Sequence, residues 1–234
     1  MVSFFSPSPL CRHLVVGIVA LGLFGVAVGC VRILEPRQSN IQYYSLEGRL
    51  ASDTRASADT TGLTLGLRKV RLADYLDTPT MVVRRNPREI HFTEFHRWSE
   101  GLPRAINRAV AAHLEQHELV RSTEVVPWAE GATFDYVIQL QVLRFEGNGP
   151  PPPEPEADDD APTPTGHAHM AVRWKIVDPA TDAVYARGLT QDQRDGWTVD
   201  DYADLAAKLD AALAVLADDV ASRLRALDEA PTAR

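Results

Sequence analysis

The stretch HFTEFHRWSEGL, residues 91–102, places two histidines, two glutamates, an arginine and a tryptophan within twelve positions. These are the side chains of metal sites and of general acid–base catalysis, so their spacing decides what they can do. In an extended chain His91 and His96 point to opposite faces, because side chains alternate. In a helix, five residues put them about 140° apart, again on different faces. No HExxH pattern and no third ligand at a natural spacing completes a zinc site. A second pair, His167 and His169, shares one face of a strand-like stretch downstream of Asp158, Asp159 and Asp160. That face is the polar one, where a half-buried strand carries such residues anyway. The sequence has no GxSxG elbow and no glycine-rich phosphate loop, and its carboxylates are scattered. These patterns point to no catalytic group, no metal and no cofactor, hence to a protein that is not an enzyme. A structural reading fits the stretch better. Trp98 and Phe95 supply buried area, Glu94 and Arg97 are spaced to pair or cap, and the segment turns a strand into a helix.

The elements around this stretch begin with an export signal over residues 1–29. Arg12 and His13 precede the uncharged fifteen-residue run Leu14–Val28, which is shorter than the roughly 20 residues a membrane-spanning helix needs. The run ends at Ala27-Val28-Gly29-Cys30, small residues before a cysteine, which resembles the lipobox of bacterial lipoproteins with Ala27 in place of the usual leucine. Cys30 is therefore the expected lipidation site. Two or more acyl chains anchor stably, at about 0.8 kcal/mol for each buried CH₂. The other cysteine, Cys11, would leave with the signal, so the mature chain could form no internal disulfide. The competing reading is an uncleaved N-terminal anchor helix with Cys30 incidental. Either way the rest of the chain works outside the cytoplasmic membrane, tied to a bilayer by residues 30–40, a tether that extends at most about 35 Å.

Losing residues 1–29 removes one cation, Arg12, and leaves the chain one charge more negative than the −8 of the full sequence. With no basic stripe or basic–aromatic interleaving, the acidic balance argues against nucleic acid and against wide contact with anionic lipid surfaces. The length suffices for one hydrophobic core.

Alternation predicts strands over 41–47, 63–72, 81–85, 89–92, 119–126, 134–145, 167–177 and 183–191. Spacings of three and four predict an amphipathic helix from a Ser99 cap to about His117, and another from about Asp200 to Leu227. The order gives an α+β single domain over 41–228, a mainly antiparallel sheet packed against two amphipathic helices. Residues 147–166, GNGPPPPEPEADDDAPTPTG, are too rich in proline and acid to form a core and read as a disordered loop; 229–234 read as a tail.

The run DYLDTPTMVVRR followed by FHRWSEGL and an amphipathic helix resembles the signature of PqiC-type ABC-transport auxiliary lipoproteins, the membrane-integrity-associated transporter subunits. The matching positions are Tyr75, Leu76, Asp77, Pro79, Val82, Val83, Arg84, Arg97, Trp98 and Leu102, and YYSLEG upstream fits as well. The family often has Ala-Glu-Pro where this chain has Ser99-Glu100-Gly101. The resemblance implies a non-catalytic, periplasm-facing lipoprotein that docks at the outer membrane. Its partners would be a mammalian-cell-entry (MCE) protein and an ABC transporter moving lipids or other hydrophobic molecules between two membranes, and it would form a ring-like homo-oligomer. Val31 after the cysteine is similar to outer-membrane-sorted lipoproteins. An alternative is a periplasmic lipoprotein that scaffolds or activates a cell-wall or outer-membrane assembly machine. An unseen hydrolase is a third.

Cys30→Ala is expected to leave an uncleaved precursor held in the inner membrane by Leu14–Val28. Normal processing of that variant, with delivery to the same membrane as the parent, would contradict the lipoprotein reading.

Overall fold

The computed structural model describes residues 40–47, 62–151 and 163–229. The expected signal and Cys30, nearly all of the tether, most of the acidic proline segment and the tail from 230 lie outside the described residues. From Ile41 onward the described residues form one nine-stranded sheet and two helices. The strands are β1 (Gln42–Tyr44), β2 (Leu63–Leu67), β3 (Arg71–Leu72), β4 (Thr80–Asn86), β5 (Glu89–Trp98), β6 (Val120–Val125), β7 (Tyr136–Asn148), β8 (Thr165–Val177) and β9 (Val184–Thr198). Helix α1 (Leu102–Leu114) separates β5 from β6, and α2 (Tyr202–Asp228) closes the chain.

The fold is α+β with a mainly antiparallel sheet, as the order of periodic segments implies, but the sheet is mixed rather than purely antiparallel. β7–β8, β8–β9 and β4–β5 pair antiparallel, whereas β1–β5, β2–β6, β2–β7, β3–β7 and β4–β7 pair parallel. The cause is the length of β7. β8 pairs with it from Val137 to Asn148, so only its other edge is free. Three short strands share that edge in succession: β2 at Tyr136–Ile138, β3 at Gln141–Val142 and β4 at Gly147–Asn148. The expected strand 63–72 is thereby split, and Arg68, Lys69 and Val70 bridge from β2 to β3.

The alternating residues of the two central strands go where their pattern implies. Ile138, Leu140 and Val142 of β7, with Ala168, Met170, Val172, Trp174 and Ile176 of β8, are buried. Trp174 lies against Gly188 so closely that a Cβ there would stand 2.3 Å from the indole, a position that only glycine fills without displacement. Both helices bury their stripes. Leu102, Ile106, Ala109, Val110 and Leu114 of α1 are covered, as are Leu205, Leu209, Leu213, Leu216, Val220 and Leu224 of α2. α2 packs on β8 and β9, and α1 packs on α2 and β6.

Helix α1 begins later than the expected Ser99 cap. The Ser99 backbone N–H donates to the Tyr44 carbonyl at 2.8 Å, which holds it in the sheet. Gly101 is the N-cap without a side-chain bond, and Pro103 occupies the first turn, where a missing N–H costs nothing. Helix α2 is capped by Asp201, whose carboxylate accepts from the Asp204 N–H at 3.0 Å.

Candidate functional site

The residues carrying the family resemblance converge on a buried ion pair that they do not themselves contain in full. Arg84 leaves β4 beside its register partner Asn148 on β7 and meets Glu146. Its Nε donates to Glu146 Oε1 at 2.6 Å and an Nη donates to Oε2 at 3.3 Å. The Glu146 side chain is fully buried and that of Arg84 is 12% exposed. Glu146 follows Phe145 on β7, so period two sends it to the opposite face of the sheet. The DYLDTP segment covers it there. A 3₁₀ turn over Asp74–Leu76 sets Tyr75 above the pair, with its ring 5.8 Å from the Arg84 guanidinium carbon and its hydroxyl donating to the Leu143 carbonyl at 3.1 Å. Burial first, then the neighbouring Glu146 carboxylate, pushes the Tyr75 hydroxyl well above its ordinary range. The bond to Glu146 in turn raises the Arg84 pKa. A phenol and a guanidinium held in these states give up no proton near neutrality, so the cluster is suited to holding structure.

The other motif residues serve the same junction. Leu76 is buried. Asp77 ends the 3₁₀ turn, its N–H donating to the Asp74 carbonyl. The Pro79 carbonyl accepts the Trp98 N–H at 2.8 Å, tying the segment to the end of β5. Trp98 is buried with its ring 5.9 Å from that of Phe145, and Leu102 starts α1 inside the core. Arg97 does not pair with Glu94; its Nε is buried without a hydrogen-bond partner. The ion pair at this junction is Arg108–Glu100 at 2.7 Å, and the same guanidinium donates to the Leu46 carbonyl. Phe95, expected to be buried, is 49% exposed.

Phe95 is turned outward by an irregularity in β5. Between Val82 and Thr80 the β4 strand advances two residues while β5 advances five, from Phe92 to Arg97. Thr93 holds the bulge: its buried hydroxyl lies 3.0 Å from the Met81 carbonyl and 2.6 Å from the His96 carbonyl, donating to one or the other. The extra residues break the period of two. His91 and His96, expected on opposite faces, therefore line one cleft of about 190 Å³, with Arg85, Glu94, Trp197 and Tyr202. His96 stacks on Tyr202 at 3.8 Å, and its Nδ1 lies 2.9 Å from the Tyr44 hydroxyl. Burial lowers the pKa of both histidines. His167 and His169 share a face of β8, their rings 6.4 Å apart. Among the described residues no group of three or more His, Cys, Asp or Glu side chains is placed to hold a metal ion.

Residues 44–221 match the profile of the ABC-type transport auxiliary lipoprotein component family. The chain belongs to this family. Of solved structures, protein XCC0632 from Xanthomonas campestris resembles it with a TM-score of 0.58 at 17% identity, over 77% of this chain and 92% of that one. A second, an uncharacterized protein, gives 0.54 at 14% identity over 79% and 98%. At such identities the likeness concerns the fold. A comparison with curated protein sequences finds no match.

Glu146 had no signal in the sequence beyond being a charged residue among the alternating positions of β7. Removing one partner of a buried pair leaves the other uncompensated, which costs about 3–5 kcal/mol, whereas an apolar pair of similar volume can be neutral. Arg84→Met and Glu146→Leu should each lower the thermal midpoint by many degrees. The double variant should recover most of the loss. Additive losses in a double-mutant cycle would contradict the pairing.

Proposed function

We propose that this auxiliary transport lipoprotein is anchored through lipidated Cys30 to the periplasmic face of the outer membrane. There it serves as the non-catalytic docking component of an MCE/ABC-type system that moves lipids or other hydrophobic molecules between the two membranes. Family membership across residues 44–221 is the observation that carries this reading. The arrangement of the motif residues supports it: Tyr75, Arg84, Trp98 and Leu102 hold the junction of 3₁₀ turn, sheet and α1 together, as a docking domain needs, instead of surrounding a reactive group. Repeated weak contacts in a homo-oligomer would let a short-tethered domain grip a longer partner, because linked contacts add through effective concentration.

The test is affinity purification of the tagged full chain from membranes solubilised in mild detergent, with partners identified by mass spectrometry and a parallel density fractionation. The expected result is recovery in outer-membrane fractions together with an MCE-type protein and ABC transporter subunits. Recovery in inner-membrane fractions without any transporter component would overturn the reading.

A further inference from the structure

A concentration of positive charge stands on the sheet, although the chain carries 32 acidic against 24 basic residues. Six cations, Arg68, Lys69, Arg71, Arg173, Lys175 and Arg187, line a groove of about 610 Å³ on the sheet, and no carboxylate lines it. The topology builds it. Period two turns Arg173 and Lys175 outward from the β8 face that buries Trp174 and Ile176. Register sets Arg187 of β9 directly opposite Lys175, and Leu189 opposite Arg173. The β2–β3 bridge brings Arg68, Lys69 and Arg71 alongside, fixed by the Arg68 N–H bonded to Ile138 and by Asn107 Nδ2 donating to the Arg68 carbonyl. Arg68 meets Asp182 at 2.5 Å. The other five have no ion pair with a described carboxylate.

Like charges directly opposite across a ladder destabilise a sheet, so this arrangement works against the fold unless something negative fills it. Guanidinium groups converging from three segments suit a phosphate, which accepts forked hydrogen bonds from several at once. Lys69 also lines a second cleft, of about 680 Å³, with Val125, Val126, Pro127 and Pro103 of α1 as its apolar wall and Glu100, Arg104 and Asn107 among its polar lining. Leu189, 48% exposed, adds an apolar surface within the cationic groove itself. A cationic basin that shares Lys69 with a cleft carrying an apolar wall fits a molecule with a charged head and a greasy tail.

We propose that the groove binds the phosphate-bearing head group of an anionic lipid, with part of its acyl chain entering the cleft beside Val126. The acidic balance of the whole chain disfavours broad adhesion to an anionic surface, so the site takes single lipid molecules. The proposal does not depend on which transporter or membrane the protein serves.

Calorimetric titration of the full chain in non-ionic detergent tests it, with phosphatidylglycerol mixed micelles as the probe. Diacylglycerol micelles, inorganic phosphate and a polyglutamate peptide are the comparisons. Phosphatidylglycerol should bind more tightly than any of the three. Arg173→Glu/Lys175→Glu/Arg187→Glu, all exposed positions, should weaken it about tenfold or more, while Arg88→Glu/Arg223→Glu/Arg225→Glu, with the same change in charge, should leave it within about twofold. Val126→Asp should weaken the lipid and leave inorganic phosphate unaffected. Equal binding of inorganic phosphate and lipid would overturn the lipid assignment, and so would tighter binding of polyglutamate. Equal effects of the two charge reversals, with both variants keeping the parent thermal midpoint, would overturn the site.

Discussion

Glu146 sits with no exposed surface, where a carboxylate without a partner would be too costly to keep ionised. Arg84 supplies the partner, and much of the architecture is arranged so that it can. The pair links β4 to β7 at the point where β4, the last of three short strands, takes its place on the free edge of β7. Tyr75 and its 3₁₀ turn roof the pair, and the Pro79 carbonyl then fastens the same segment to Trp98 and the approach to α1. A buried ion pair is weak evidence for net stability. It adds a constraint on register: β4 has only two residues paired with β7, and a slip there would strand a buried charge.

What could be read from the sequence follows from how far each signal is local. The stripes of α1 and α2 and the alternation of β8 are periodic over many residues and fold as written, and β7 keeps its alternation from Ile138 to Val142, where a bulge interrupts it. The parallel pairings of β2, β3 and β4 depend on which edge of β7 remains free once β8 has paired, which no short window contains. Ser99 looks like a helix cap, but its N–H is taken by Tyr44, a residue more than fifty positions away. The strongest miss is the β5 bulge. A rule of period two separates His91 from His96, and Phe95 is expected to be buried; the bulge that Thr93 holds sets both histidines in one cleft and Phe95 outward.

We propose that the family signature is a set of structural joints. Tyr75, Pro79, Arg84 and Trp98 each make a contact between two elements, Asp77 closes the 3₁₀ turn, Leu102 opens α1 in the core, and the glutamate that completes the set lies outside the motif. The groove proposed for a lipid head group lies elsewhere, between the β2–β3 bridge and the outward side of β8 and β9, where no signature residue falls. A joint tolerates replacement by other groups that fill the same volume, whereas a reactive or partner-contacting group does not. The two roles are therefore separable by measurement.

The most direct measurement replaces the pair wholesale in living cells. A strain lacking this gene, complemented with the Arg84→Met/Glu146→Leu chain, would be scored for membrane integrity and for the amount of folded protein in its envelope. If the motif is structural, integrity returns in proportion to the folded protein present. Full levels of folded protein with no restoration of integrity would show that Arg84 and Glu146 act directly in the transport function, and would contradict the account.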